Sequence, residues 1–494
     1  MPETCVPSAN QPGDVSLVHI EVCGAPAYKA SRFNAHTTTP DGTVLIYNSL
    51  TGRNCAIPPK GAPTVERYLS HAGFHGSLDP LGEYLLREGY ILLAEVDEDA
   101  LWDARYGIQQ YRSDVLELIL LSSEDCNFRC IYCSQQFKRG SMLRGVRKGI
   151  TRLIESRIPK LSSLSVHWFG GEPLLGYDAI EELAPAIQAI ARQQRVPYAS
   201  QMTTNAFLLT PDRFRDLVKW GVVSYQITID GTGEEHDSHR PLVDGGETYD
   251  QIMRNVVAMR ESSEDFRVAL RINFDNTNMM KLRPLFEEFK ERLYLDARFE
   301  VYFFPVGKWG GPNDATLDIC QDSATAATFL SKQAREYGLK TGSLTTALTP
   351  GGGNVCYAAR PYSYIIGADG KIMKCTVVLD TDKMNIVGQL SEQGEMKLDD
   401  GRFAAWVRPY YHSDSMCQKC FFVPVCQGAS CPLPRITGGS RPCPSTKLTI
   451  RRTLNDIWEE KQQTGRLIQI GNSSKSGRVP TVLAPTSDLA IADR

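Results

Sequence analysis

Short apolar runs alternate with amphipathic stretches through the middle of the chain. We interpret six of these runs as strands, at residues 115–121, 163–169, 200–204, 222–229, 267–274 and 299–304. Helical spacing lies between and after them, at 146–157, 178–193, 211–220, 249–262, 280–291 and 324–337. This alternation predicts an α/β fold with a parallel sheet. Six such units predict a partial (βα)6 TIM-like barrel, whose chemistry lies at the carboxyl ends of the strands.

The pattern changes on both sides of this region. Residues 1–112 combine strand patterns at 43–47 and 90–94 with helical patterns at 81–88 and from 97, which predicts a small α+β domain. Residues 346–450 are rich in Gly, Pro and Cys and show weak periodicity, as expected of a segment that metal sites hold together. Residues 451–494 predict a last helix and a loose polar tail. Residues 113–345 are then the barrel.

Charge and hydropathy exclude several classes. The 494 residues carry 54 Lys and Arg against 57 Asp and Glu, so no basic excess indicates a nucleic-acid partner. No apolar run approaches the roughly 20 residues that span a bilayer. The first residues lack the pattern of a secretory signal. We therefore expect a cytoplasmic protein without membrane or nucleic-acid contacts.

Cysteine is the most informative residue type. The chain has 14 cysteines, of which ten fall into two groups, one near residue 130 and one between 356 and 443. In a reducing cytoplasm, grouped thiols indicate metal ligands rather than disulfides.

The first group is Cys126-x3-Cys130-x2-Cys133, directly after the first barrel strand. Zinc sites usually have four ligands in two close pairs, and this group has three. Three thiolates on a four-iron cluster leave one iron open for a second ligand. The alternative is three unrelated core cysteines.

This spacing, with the aromatic Tyr132 before the last cysteine, resembles the radical S-adenosylmethionine (SAM) enzymes. The resemblance implies that the open iron chelates the amino and carboxylate groups of SAM. An electron from the cluster then cleaves SAM to a 5′-deoxyadenosyl radical, which abstracts a hydrogen atom from the substrate. Tyr132 would contact the adenine through its backbone, whereas without the resemblance it would be a packing aromatic.

Further motifs at later strand ends extend the resemblance. It implies that the turn Gly170-Gly171-Glu172-Pro173 binds the SAM amino group, that the Thr228 hydroxyl binds SAM, and that Arg240 binds the methionine carboxylate. Without the resemblance, Arg240 would be a surface ion pair. Three polar residues at the same mouth, each a SAM-site candidate or a structural cap, are Asn205, Asn273 and Asp275, of which we assign Asn205 to SAM binding.

The second group resembles the SPASM extension of radical SAM enzymes, which carries up to two auxiliary four-iron clusters. The resemblance implies a second auxiliary cluster on Cys417, Cys420, Cys426 and Cys443. It implies a first auxiliary cluster on Cys356, Cys375 and Cys431. Residues 360–362 lack the eighth cysteine of many members, so we predict an open or non-cysteine-ligated iron there, with Cys320 as the alternative fourth ligand. Three [4Fe-4S] clusters and SAM are the predicted cofactors.

The predicted function is that of an enzyme that modifies a ribosomally made precursor peptide by a C–C or thioether cross-link, supplied with electrons by a flavodoxin- or ferredoxin-type donor. Residues 1–112 would bind the leader peptide at a sheet edge or merely cap the barrel. The alternatives are a sulfatase-maturase-like enzyme, a small-molecule radical SAM dehydrogenase and a non-catalytic iron–sulfur electron carrier. Thr376 after Cys375 counts against the sulfatase-maturase reading, because that branch has an Asp there, although Asp380 is near. The sequence identifies no catalytic base.

Overall fold

The computed structural model describes residues 26–70, 73–342, 345–351, 353–379 and 383–464. The predictions for the N-terminal end, the last tail and Asp380 therefore lie outside the described residues.

In its described part, the first unit, to residue 112, holds two small antiparallel sheets and the helices α1 to α3. Its elements in chain order are β1 (Ala27–Ala30), β2 (Asn34–Thr38), β3 (Val44–Asn48), β4 (Asn54–Ile57), α1 (Ala62–Leu69), β5 (Phe74–His75), α2 (Pro80–Arg87), β6 (Ile91–Leu93) and α3 (Glu98–Gln110). The sheets run β2-β3-β4 and β5-β1-β6. Successive side chains of β3 point to opposite faces of the sheet. Val44 and Ile46 therefore pack in a core with α1 and α2, whereas Leu45 and Tyr47 lie on the opposite face.

The region from 113 to 345 follows the predicted alternation of strands and helices closely. Its elements are β7 (Val115–Ser123), α4 (Arg144–Arg157), β8 (Ser163–Gly170), α5 (Tyr177–Gln193), β9 (Tyr198–Thr204), α6 (Pro211–Lys219), β10 (Val222–Thr228), α7 (Gly233–His239), α8 (Tyr249–Glu261), β11 (Arg267–Phe274), α9 (Arg283–Leu293), β12 (Phe299–Pro305) and α10 (Ser323–Glu336). The six strands pair in parallel and in sequence order. Leu164, Val166 and Trp168 of β8 are buried under the helices, whereas Ser165 and His167 point to the inner face of the sheet.

The Cys-rich region extends this same sheet, a feature that the sequence pattern did not predict. Its elements are β13 (Ser363–Ile366), β14 (Lys371–Met373), β15 (Ile386–Leu390), β16 (Met396–Leu398), α11 (Asp400–Val407), α12 (Ser415–Gln418), α13 (Val423–Cys426), α14 (Leu433–Gly438), α15 (Ser445–Leu448) and α16 (Ile450–Thr464). β13 pairs in parallel with β7, and β14 to β16 continue antiparallel. The described sheet has β12 and β16 at its two edges and is open.

The N-terminal unit packs on the Cys-rich region. Leu45 and Tyr47 share a core with Ile450, Leu454 and Ile457 of α16. The Tyr47 hydroxyl donates to the carbonyl of Leu348. In the ranges described above, no helix has the length and apolar character needed to cross a membrane.

Candidate active site

The loop that carries the first three cysteines leaves the carboxyl end of β7 and is held by backbone hydrogen bonds from two sides. The Arg129 amide donates to Pro241 O over 2.9 Å, and the Ile131 amide donates to His239 O over 3.0 Å. On the other side, the Glu172 amide donates to Asp125 O over 2.9 Å. The loop thus lies between the segment after α7 and the turn after β8.

The three thiols lie within electrostatic range of one another. The charges of Cys130 and Cys133 act on Cys126, and that of Cys133 acts on Cys130. Burial raises the pKa of all three thiols, and that of Cys130 reaches about 11 although the Arg240 cation opposes the rise. Because the thiolate is the metal ligand, iron binding here must displace protons.

A hydrogen-bonded network lies beside the cysteine loop. The Tyr132 hydroxyl donates to the Asp230 carboxylate and accepts from Arg240 Nη1 at 2.7 Å and Asn273 Nδ2 at 2.8 Å. The Asp230 carboxylate lies 3.9 Å from Arg240 Nη1 and also accepts from the backbone amide of Asn273 at 2.8 Å. These contacts join the cysteine loop to the ends of β10 and β11. The Tyr132 side chain is therefore a structural tie of the loop.

The Gly-Gly turn after β8 packs against protein backbone. A Cβ on Gly170, whose φ is +141°, would lie 1.9 Å from Ser123 O, and one on Gly171 would lie 2.5 Å from Asp125 O. The resemblance implies that this turn binds the SAM amino group. In the structure, the end of β7 and the start of the cysteine loop exclude a side chain at these two positions.

Glu172 is fully buried, and its carboxylate faces the protein. It accepts from the Leu174 amide at 3.0 Å, the Thr204 hydroxyl at 2.7 Å and the Asn205 amide at 2.7 Å. Burial raises the pKa of this carboxyl group, and these donors oppose the rise. The contacts tie the turn after β8 to the end of β9.

The remaining predicted residues divide into two groups. The Asn205 side chain reaches the cysteine loop, with Nδ2 donating to Asn127 Oδ1 at 2.9 Å and lying 4.0 Å from Cys126 Sγ. Thr228 is buried at the end of β10, beside Arg271 in the register. Asp275 instead caps its own turn by accepting from the Thr277 amide at 2.8 Å.

Three buried nitrogens around the cysteine loop have no hydrogen-bond partner among the described residues. They are Asn127 Nδ2, Arg240 Nε and His236 Nε2. His236 Nδ1 accepts from the Asp230 amide, so its other ring nitrogen carries the proton. Asn127 belongs to the cysteine loop and the charge of Arg240 acts on Cys130, so these two unpaired donors suit an anionic or hydroxyl-bearing ligand beside the thiols.

Seven later cysteines form two sets. The thiol of Cys426 is acted on by the charges of Cys417, Cys420 and Cys443. Two cationic side chains donate to this set, Arg435 to Cys417 Sγ at 3.4 Å and Lys447 to Cys443 Sγ at 3.5 Å.

The other set surrounds Cys356. Its thiol is acted on by the charges of Cys431, Cys375 and Lys374, and burial raises its pKa to about 11. Cys320 lies between β12 and α10, partly buried against the main hydrophobic core. Arg360, in the stretch 360–362 that follows Cys356, forms an ion pair with Glu117 at 3.0 Å.

Within the described residues, no three His, Cys, Asp or Glu side chains converge on a point that could hold a single metal ion. The thiols of each set are close enough for their charges to interact, but they do not surround one such point.

Sequence reasoning missed several polar residues that the structure places at these sets. Asp230 lies two residues after Thr228 in the sequence, but only the fold shows that it is the centre of a hydrogen-bonded network. Arg435 and Lys447 carry no motif, and only the folded chain brings them to the thiols.

Comparison with known proteins follows this geometry. Residues 120–286 match the family model of the radical SAM superfamily. The PqqA peptide cyclase of Bradyrhizobium diazoefficiens is 24% identical over 222 residues, which cover 45% of this chain and 55% of that protein. The serine-type anaerobic sulfatase-maturating enzyme of Klebsiella aerogenes is 22% identical over 328 residues, covering 62% of this chain and 77% of that protein.

Among solved structures, native anSMEcpe with bound AdoMet and Cp18Cys peptide superposes with a TM-score of 0.53 at 16% identity, covering 71% of this chain and 97% of that chain. This likeness confirms the α/β fold. The match to the family model identifies residues 120–286 as a radical SAM domain, and proteins with this domain are enzymes. The chain matches only about half the length of the peptide cyclase, 55%.

Proposed function

We propose that this protein is a radical SAM enzyme with a SPASM extension, and that it modifies a precursor peptide by a C–C or thioether cross-link. The observation that carries the proposal is the meeting of Cys126, Cys130 and Cys133 with unpaired buried donors at the carboxyl end of the sheet. A [4Fe-4S] cluster with bound SAM supplies, when present, the electron that splits SAM and the 5′-deoxyadenosyl radical that abstracts a hydrogen atom.

The residues of the site fit these groups. Three thiols without a fourth ligand match a cluster with one open corner. Arg240 has an unpaired Nε, and Asn127 an unpaired Nδ2, so each offers a donor to a carboxylate or hydroxyl of SAM. The hydrogen bond from Arg240 Nη1 to the Tyr132 hydroxyl fixes the guanidinium, so Arg240 loses less conformational entropy when it binds SAM.

In this proposal, the turn at Gly170 and Gly171 and the carboxylate of Glu172 position other residues of the site. Glu172 places the Asn205 backbone at the end of β9, and the Asn205 side chain then reaches toward Cys126. Thr228 and the backbone of Tyr132 remain proposed SAM contacts.

The Cys-rich region, 346–450, is the proposed SPASM domain with two auxiliary clusters. The set around Cys426 has four thiols, and the set around Cys356 has three. Hydrogen bonds from Arg435 and Lys447 to the larger set suit thiolates, because a cation stabilises a negatively charged sulfur.

A peptide substrate is supported by two comparisons. One relative is named a peptide cyclase, and the solved structure holds a peptide together with AdoMet. The open sheet leaves its inner face lined by polar side chains, among them His167, Gln226 and Tyr302, where a peptide could lie. Residues 1–112 remain a proposed leader-binding domain, and β5 and β6 are edge strands of its second sheet.

The proposal is tested by anaerobic reconstitution followed by reduction with dithionite in the presence of SAM. We expect about twelve irons per chain and release of 5′-deoxyadenosine. A Cys130→Ala variant should retain about eight irons and release none. Intact SAM after reduction of the fully loaded wild-type protein would refute the proposal.

A sulfatase-maturase-like activity is the second candidate, favoured by the relative from Klebsiella aerogenes. Where that branch has an Asp, the Thr376 hydroxyl lies 2.7 Å from the Tyr357 hydroxyl. Reaction of a treated Ser- or Cys-containing peptide with a hydrazide probe separates the two candidates. An aldehyde product would support the second candidate, whereas a cross-linked peptide that does not react would support the first.

A further inference from the structure

The four-thiol set around Cys426 is contacted by cations from two different helices. Arg435 of α14 donates from Nη2 to Cys417 Sγ at 3.4 Å. Lys447 of α15 donates from Nζ to Cys443 Sγ at 3.5 Å. Two of the four thiols thus receive a charged hydrogen bond.

Asp414 holds one of these cations in place. Its carboxylate lies 3.1 Å from Arg435 Nη1 and 2.7 Å from Arg441 Nε. The same carboxylate caps α12 by accepting from the amides of Met416 at 3.1 Å and Cys417 at 3.3 Å. The helix that carries Cys417 and the guanidinium that contacts its sulfur therefore share one anchor.

Fixed cations of this kind act on redox equilibrium. One electron from a low-potential reductant adds one negative charge to a cluster and its four thiolates. Hydrogen bonds to sulfur and nearby positive charge stabilise the more negative state, which raises the reduction potential. Asp414 carries one negative charge against the positive charges of Arg435, Arg441 and Lys447, so the surroundings keep a cationic excess.

We propose that Arg435 and Lys447 set the reduction potential of the second auxiliary cluster, with Asp414 as the positioning residue for Arg435. This inference rests on the proposed function, since it needs a cluster on Cys417, Cys420, Cys426 and Cys443.

The test is a redox titration of the reconstituted full chain with dithionite and mediators, followed by electron paramagnetic resonance. Arg435→Gln and Lys447→Gln should each shift one cluster transition to more negative potential. The expected size is about tenfold in the reduction equilibrium, which is about 59 mV for one electron. Arg435→Lys, which keeps the charge, should have a reduction potential close to that of the wild-type protein.

The matched control is Arg408→Gln. Arg408 lines the same cavity of about 580 Å³ as Arg435 and Arg441, but its Nη2 donates to Ser413 Oγ at 3.4 Å rather than to a thiol. We expect no shift in this variant.

Two results would overturn the inference. One is full iron content with unchanged potentials in both Gln variants. The other is loss of about four irons in both, which would make the two cations necessary for assembly instead. A wild-type chain that binds only about four irons would instead reject both auxiliary clusters, and with them the SPASM extension of the proposed function.

Discussion

Glu172 offers a sharp test of how the site is built, because its carboxylate joins two strand ends without reaching the surface. Its Oε1 accepts from the Leu174 amide and the Thr204 hydroxyl, and its Oε2 accepts from the Asn205 amide. Glu172→Ala would leave all three donors without an acceptor. Each buried unpaired donor costs about 1–3 kcal/mol.

The summed cost is not additive, and we expect a local loss of roughly 3 kcal/mol. Since about 1.4 kcal/mol is a factor of ten in an equilibrium, the amides of Leu174 and Asn205 should exchange hydrogen about 100-fold faster than in the wild-type protein. Glu172→Gln should behave differently. The single amide oxygen can keep Leu174 and Thr204, while the NH2 group faces the Asn205 amide, so Asn205 alone should exchange faster.

The assay is hydrogen–deuterium exchange on the reconstituted protein, read from peptides that cover 170–176 and 203–207. Glu182→Gln is the control, because this carboxylate is half exposed and pairs with Arg147 on the helical side. Unchanged exchange at both amides in Glu172→Ala would refute the assignment of Glu172 as the tie between β8 and β9.

Three further predictions concern the same sheet. His167 has its pKa lowered to about 4 by burial, so it is neutral in the folded chain and takes up a proton on unfolding below its usual pKa of 6.5. The stability that neutral His167 contributes is present above pH 6.5 and is lost as the pH falls toward 4. Between pH 7.5 and 5, the free energy of unfolding of the wild-type protein should fall by about 2 kcal/mol more than that of His167→Gln. Equal dependence of this free energy on pH in the two proteins, measured by denaturation curves, would contradict the prediction. Asp230→Asn should weaken SAM binding about tenfold or more in equilibrium dialysis, because Tyr132 and Asn273 lose a charged partner. Iron uptake by the apo-protein should rise from pH 7 to 9, since burial raises the thiol pKa of Cys130 to about 11; uptake that is flat in colorimetric iron assays over this range would speak against protonated thiols.

The alternating strands and helices of the region 113–345 were predictable because their signal is local. Strands such as β11, predicted at 267–274 and found at Arg267–Phe274, are apolar runs bounded by polar turns. Helix α2 was predicted at 81–88 and is found at Pro80–Arg87, within one residue at each end. By contrast, β13 to β16 are three to five residues long, and the pairing of β13 with β7 joins Ser363 to Glu117, which are far apart in the sequence. No local pattern encodes such a partner.

The amino-acid sequence alone determined the cysteine spacings, the strand and helix periods of the barrel, and the chemistry that thiols in that pattern favour, because each depends on residues close together in the chain. Only the tertiary structure decided which thiols are neighbours, that Glu172 faces the protein, and that Arg435 and Lys447 reach the sulfurs. Those contacts join segments that are distant in sequence, and burial and charge act through space rather than along the chain.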